Sequence, residues 1–321
     1  MSDISAATGM NQPRPTVRKA RRLANRLSPY AFVGPAIIVL FIALIIPLGY
    51  MIYGSMLDWT ASQSIGEADF IGLKNYTDLW NDPRFMKSVS VTLRFAFIVV
   101  VVELIIGVGL ALLLDRDIKG MTFLRTMFIL PMMIAPVVVG LMWRFMYHPT
   151  DGTFNRLLEK MGLPTVDWLG QHALMSVIIA DIWQWTPFIF ILALAALQSL
   201  PRSALEAARI DGATAWQQII YIKLPLMMPV LIVTALLRLI DAFKVLEVIL
   251  VLTNGGPGQE TQILSHRINE TMTEVRHLGE AAAMANYLLI LLMALTLGML
   301  AFNNWQEKRA ARIRAAAEED V

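Results

Sequence analysis

Six long apolar runs organise the chain, at residues 30–56, 88–114, 123–147, 173–197, 226–252 and 283–303. Each is built from Leu, Ile, Val, Ala and Met. Each reaches the roughly 20 residues that a helix needs to cross a bilayer. None shows the ten-residue alternation of an outer-membrane barrel strand. Inside lipid the backbone must satisfy its own polar groups, so runs of this kind are helical. The pattern predicts an all-α polytopic membrane protein with six transmembrane helices.

The polar interruptions divide it further. Residues 1–28 are a basic, Pro-containing N-terminal tail, 29–305 the membrane domain and 306–321 a C-terminal tail. Loop 57–87 holds Trp59 and Trp80 with Asp58, Asp69, Asp78 and Asp82, and Trp is favoured at the membrane surface. In 148–172, Pro149, Asp151 and Gly152 predict a turn, and TFNRLLEKMG a short surface helix ended by Gly162. Loop 253–282 opens on TNGGPG, a strong turn signal.

The interruption at 198–225 reads as a folded piece. Ser203 with Glu206, and Thr214 with Gln217, have capping-box spacing. Gly212 falls where the first short helix should stop. Helix, turn and helix are then expected, with Pro225 opening the fifth span. Leu205, Ala208 and Gly212 fall on one helical face, where small residues admit close approach by another surface. Two readings stand: a pair of capped surface helices with Glu206 serving the cap, or a docking knob for a cytoplasmic partner. A folded loop of this length exceeds what a link between spans requires.

Composition agrees with a bilayer environment. The chain is 56% hydrophobic and 16% charged, against about 25% charged in soluble domains. There is no cysteine, so disulfides and thiolate metal sites are excluded. Net charge, +2, says little, but its distribution says more. With the N-terminus inside, inside segments carry sixteen Lys and Arg and outside segments seven. The inside set comprises those at 14–26, Arg116, Lys119, Arg125, Arg202, Arg209, Lys223 and those at 308–314. The positive-inside rule then places both termini in the cytoplasm. The basic start resembles a signal-peptide n-region, but the apolar run behind it is too long for an h-region, so it reads as a retained first span.

Ionisable residues within spans are costly and face a cavity or a partner. Arg238, Asp241, Lys244 and Glu247 recur at i, i+3 and read either as a stripe of ion pairs or as pathway residues. Glu103 reads as a helix–helix contact. His148, His172, His266 and His277 lie in loops without metal-ligand spacing and read as surface residues. No G-x-x-x-x-G-K-[ST], H-E-x-x-H or G-x-S-x-G occurs, so neither an ATPase nor a membrane-embedded hydrolase is indicated. A self-contained secondary transporter or channel, relaying ions through Asp241, Lys244 and Glu247, stands as an alternative.

Glu206-Ala207-Ala208, three residues, Gly212, then Ile222-Lys223-Leu224-Pro225 resembles the EAA signature of permease subunits of binding-protein-dependent ABC importers. FILPMMIAP at 128–136 and VLTNGGPG at 251–258 are similar to the maltose-transporter branch. The resemblance implies a type I importer permease architecture in the bacterial inner membrane. It implies a second permease, two copies of an ATP-binding subunit that bind ATP and Mg, and a periplasmic solute-binding protein. No cofactor, catalytic residue, metal or nucleic acid is implied for this chain. Leu205, Glu206, Ala207, Ala208 and Gly212 would dock the ATPase, with Leu224 and Pro225 anchoring the knob. The solute, a sugar or sugar derivative, would pass Asp181, Gln184, Trp185, Phe188, Arg238, Asp241, Ala242 and Val245, with Met132 and Val137 as weaker candidates. Arg238 and Asp241 depart from the neutral lining expected there. An Arg238 lining the cavity would suit an anionic sugar derivative, because guanidinium forks bind oxyanions.

Overall fold

A computed structural model describes the backbone of residues 15–115 and 119–319, and the side chains of 33–115, 119–301 and 303. The basic side chains at 14–26, Arg116 and those at 308–314 lie outside the described ones. The chain forms two units, residues 1–53 and 54–321. In the first, α1 (Pro15–Gly54) carries the apolar stretch Val33–Gly54. Helix is described from Pro15, inside the segment read from sequence as a tail, and it runs through Pro29 into the first span.

The second unit opens with a two-stranded antiparallel hairpin, β1 (Leu57–Asp58) and β2 (Asp69–Phe70), and a short helix, α2 (Lys74–Asn81). Asp82 caps α3 (Pro83–Leu114) by accepting from the Arg84 amide at 2.9 Å. The third apolar run is not one straight span. It forms α4 (Met121–Ile129), a 3-10 turn at Leu130–Met133 and α5 (Pro136–Met146), bent by 96°. Pro131 and Pro136 lack the amide that would continue the helix, and Ala135, before Pro136, leaves helical geometry with ψ 137°. Hydropathy registers the apolar length but not the change of direction.

α6 (Thr153–Lys160) is the expected surface helix, and Gly162 lies just beyond its end with φ +73°. α7 (Ala173–Gln198) is the fourth span. α8 (Arg202–Ile210) and α9 (Ala215–Gln218) follow. α9 runs through a π-helical turn, Ile219–Lys223, into α10 (Leu224–Ala242), giving one apolar helix from Ala215 to Ala242. Pro225 therefore does not start the fifth span. The π turn, in which the Leu224 amide bonds the Ile219 carbonyl, lets the helix pass the proline. The span also ends earlier than hydropathy suggests. The helix breaks at Phe243, and α11 (Glu247–Leu252) is a separate piece packed on α5. After the TNGGPG turn come α12 (Leu264–Glu270) and α13 (Leu278–Glu319), whose Leu278–Ala301 portion is long and apolar enough to span. Helix continues to Glu319, through most of the segment read as a tail. Among the described residues, five helices qualify as spans by length and composition, or six if the bent α4–α5 pair counts as one.

α3, α7 and α10 form the centre. One apolar cluster joins Val99, Ala180 and Ala242, and another joins Ala111, Phe190 and Leu231. A Cβ on Gly107 of α3 would sit 2.9 Å from Cβ of Ile189 on α7, so only glycine permits that helix contact.

Candidate functional sites

The knob at 198–225 folds as helix–turn–helix, with two departures from expectation. The Thr214–Gln217 capping box forms, with Thr214 Oγ1 accepting from the Gln217 amide at 3.3 Å and Gln217 Oε1 accepting from the Thr214 amide at 2.8 Å. The Ser203–Glu206 box does not, because Pro201 takes the cap position and leaves Ser203 inside the first turn of α8. The end of α8 is a Schellman motif. The Ala213 amide bonds the Ala208 carbonyl at 2.9 Å, and the Gly212 amide bonds that of Arg209 at 3.1 Å. Gly212 has φ +78° with open space around it. Its role within this chain is the left-handed turn, and among the described residues no neighbour uses the space. Ala208 is buried, so the face expected from Leu205, Ala208 and Gly212 is not presented as a unit. Glu206, Ala207 and Pro225 are exposed, and Leu205 and Leu224 half-buried.

What the loop does present was missed from sequence. Ile210 is 85% exposed, Tyr221 74% and Trp216 69%. Ile210 on the polar loop, and Trp216 and Tyr221 in the first turns of the apolar helix that follows, are the available signal, and periodicity over so short a stretch conceals it.

The second site is a buried ion network joining α3, α7 and α10. Arg238, 1% exposed, donates from Nε and Nη2 to the Glu103 carboxylate at 2.7 and 3.0 Å. Nη2 also meets Asp181 Oδ2, and Nη1 lies 3.5 Å from Asp241 Oδ2. The guanidinium carbon sits 5.5 Å from the centre of the Trp185 ring, in cation–π range. Glu103 and Asp181 are fully buried. Arg238 is thus buried and engaged by three carboxylates of its own chain, which removes the support that a pathway-lining Arg238 would give an anionic solute.

The stripe from 238 to 247 forms only at Arg238–Asp241. Lys244 and Glu247 lie beyond the end of α10, exposed, and make no ion pair among the described residues. Ala242 and Val245 are packed in the core, against expectation for pathway residues. Gln184 is also buried, and its amide bonds the Ile134 carbonyl at 3.0 Å, pinning the α4–α5 elbow to α7. Trp185, Phe188, Asp241 and Met132 are half-buried and Val137 is exposed. No group of His, Asp or Glu suited to a metal occurs among the described residues. His266 is buried rather than at the surface, with Nε2 at 3.3 Å from Asn254 Oδ1. Burial lowers its pKa, against the opposing pull of Glu270 and Glu274.

Apolar spanning helices around a buried charge joint, with an ordered polar knob feeding one of those helices, make a polytopic membrane protein. Residues 103–312 match the model of the binding-protein-dependent transport system inner membrane component family, and the chain belongs to that family. It is 36% identical over 303 residues to a probable ABC transporter permease protein, y4oQ, of Sinorhizobium fredii, covering 94% of this chain and 97% of that one. It is 41% identical over 203 residues to the trehalose/maltose transport system permease protein MalF of Thermococcus litoralis, covering 63% and 69%. A solved bacterial ABC transporter involved in import of the acidic polysaccharide alginate matches with a TM-score of 0.77 at 25% identity, covering 89% of this chain and 98% of that one. The type I importer permease architecture expected from sequence is therefore that of this chain.

Proposed function

We propose that this chain forms half of the translocation pathway of an ATP-driven importer for a sugar or sugar derivative. It pairs with a second permease in the bacterial inner membrane, with both termini in the cytoplasm. A periplasmic binding protein delivers the solute. Two copies of an ATPase subunit, which bind ATP and magnesium, dock on the knob. The observation that carries this reading is the ordered knob, with its Glu206-Ala207-Ala208 segment, left-handed Gly212 and exposed Ile210, Trp216 and Tyr221. Apolar side chains of that size in a polar loop gain most by burial against another protein.

A carbohydrate solute is supported by the names of the relatives, one for trehalose and maltose and one for alginate. Those two differ in charge, and Arg238 does not decide between them. Trp185, Phe188 and Asp241, all half-buried, are the residues of α7 and α10 best placed to meet sugar faces and hydroxyls as the pathway opens. The secondary-transporter alternative loses ground because Lys244 and Glu247 are exposed beyond the break in α10 and form no buried relay.

The test isolates the complex through a tag on this chain and measures its ATP hydrolysis with binding protein and candidate sugars. Stimulated hydrolysis in the wild type, lost in Gly212→Asp, is the expected result. Continued transport by Gly212→Asp without any associated ATPase contradicts the proposal.

A further inference from the structure

The coupling reading leaves open how a push on the knob reaches the rest of the bundle. The knob leads without interruption into the helix from Ala215 to Ala242. Arg238 lies 23 residues beyond Ala215, roughly 35 Å along the axis at 1.5 Å per residue. Over most of that length α10 meets its neighbours through apolar side chains such as Met227, Leu231 and Ala235. Helices packed in this way can shear past one another at modest cost. Among the described residues, every hydrogen bond from α10 to α3 or α7 comes from Arg238. One side chain therefore ties three helices, one turn before α10 ends.

We propose that Arg238 is a positioning residue that makes α10 move as one body with α3 and α7, so that force entering at the knob moves all three. This rests on the coupling reading above. The physical basis is directional. A guanidinium fork on a carboxylate has a fixed geometry that apolar packing lacks. Separating the charges inside the bundle would strand ions in a medium of low dielectric. The Trp185 ring under the guanidinium adds a further contact to α7. Shear at this level is blocked while the network stands, even where the apolar levels could slip.

The experiment uses the assembled transporter in proteoliposomes, with ATP hydrolysis and solute uptake measured together. A triple variant, Glu103→Met, Asp181→Leu and Arg238→Met, removes all three buried charges and leaves an apolar contact. Such replacements often preserve the fold. The expected result is continued ATP hydrolysis with uptake per ATP reduced at least tenfold. A wild-type ratio of uptake to hydrolysis overturns the proposal and leaves the network a role in folding alone.

A second measurement keeps the native charges. The chain has no cysteine, so Ile105→Cys on α3 and Leu237→Cys on α10, both exposed, can carry spin labels in this subunit. Their separation is expected to stay constant, within about 2 Å, through the ATP cycle. A shift of about 5 Å or more overturns the proposal. If the wild-type complex shows no hydrolysis stimulated by the binding protein, the coupling reading itself fails. If it shows stimulation and the triple variant stays coupled, only the Arg238 inference fails.

Discussion

The buried network and the knob invert the usual distribution of polar and apolar groups. Around Arg238, charged groups lie where apolar ones belong. On the knob, the large apolar side chains of Ile210, Trp216 and Tyr221 are exposed in the isolated chain. The difference is in the partners. Arg238 finds two fully buried carboxylates within its own chain, one of them 135 residues away. The apolar residues of the knob remain exposed in the isolated chain. A buried charge with partners in its own chain points to structure and to the transmission of force. An exposed apolar group on an ordered loop points outward, to another subunit.

Removing Arg238 should break this contrast most severely. Arg238→Ala strands Glu103 and Asp181 in the bundle, at a cost of about 3–5 kcal/mol. Thermal unfolding in detergent should show a large loss of stability. Lys244→Ala, at an exposed and unpaired residue of the same charged series, should be nearly silent, and equal losses from the two would contradict the network.

The knob tolerates more. Gly212→Ala forces a side chain into left-handed backbone and should cost about 1–2 kcal/mol locally. It should be read as faster hydrogen exchange at the Ala213 amide, which closes the Schellman turn. Thr214→Ala removes a formed cap and should cost about 1 kcal/mol. Ser203→Ala should cost almost nothing, because its expected cap is absent. Amide exchange in α8 and α9 distinguishes the two.

The smallest effect concerns pH. His266 is buried, and its pKa in the folded protein lies below the ordinary value near 6.5. The unfolded chain then takes up the proton first, so stability should fall as pH drops through about 6.5. His266→Asn should flatten that part of the pH profile of thermal unfolding.

These contrasts also separate what sequence discloses from what it hides. Apolar length and the local signals of 198–225 marked the spans, the Thr214 cap and the Gly212 turn, because each depends on residues within a few positions. Glu103 reads as a helix–helix contact from its chemistry alone, but its partner needed the fold. The elbow at 130–136 was present as Pro131 and Pro136, yet a hydropathy window averages direction away. The end of α10 was hidden for the same reason, since Val245 and Val248 to Leu252 remain apolar after the helix has stopped. The Ser203 cap misled because Pro201, two residues earlier, fixes where the helix begins.

The central claim is that the exposed apolar face of the knob is covered by an ATPase on the cytoplasmic side. The direct measurement is maleimide labelling of Ile210→Cys, a single thiol in a cysteine-free chain, in inside-out membrane vesicles. Rapid labelling of the chain alone, and protection of at least tenfold once the ATPase subunit is supplied, is the expected result. Equal labelling with and without the ATPase, or labelling only from the opposite side of the membrane, would contradict the account.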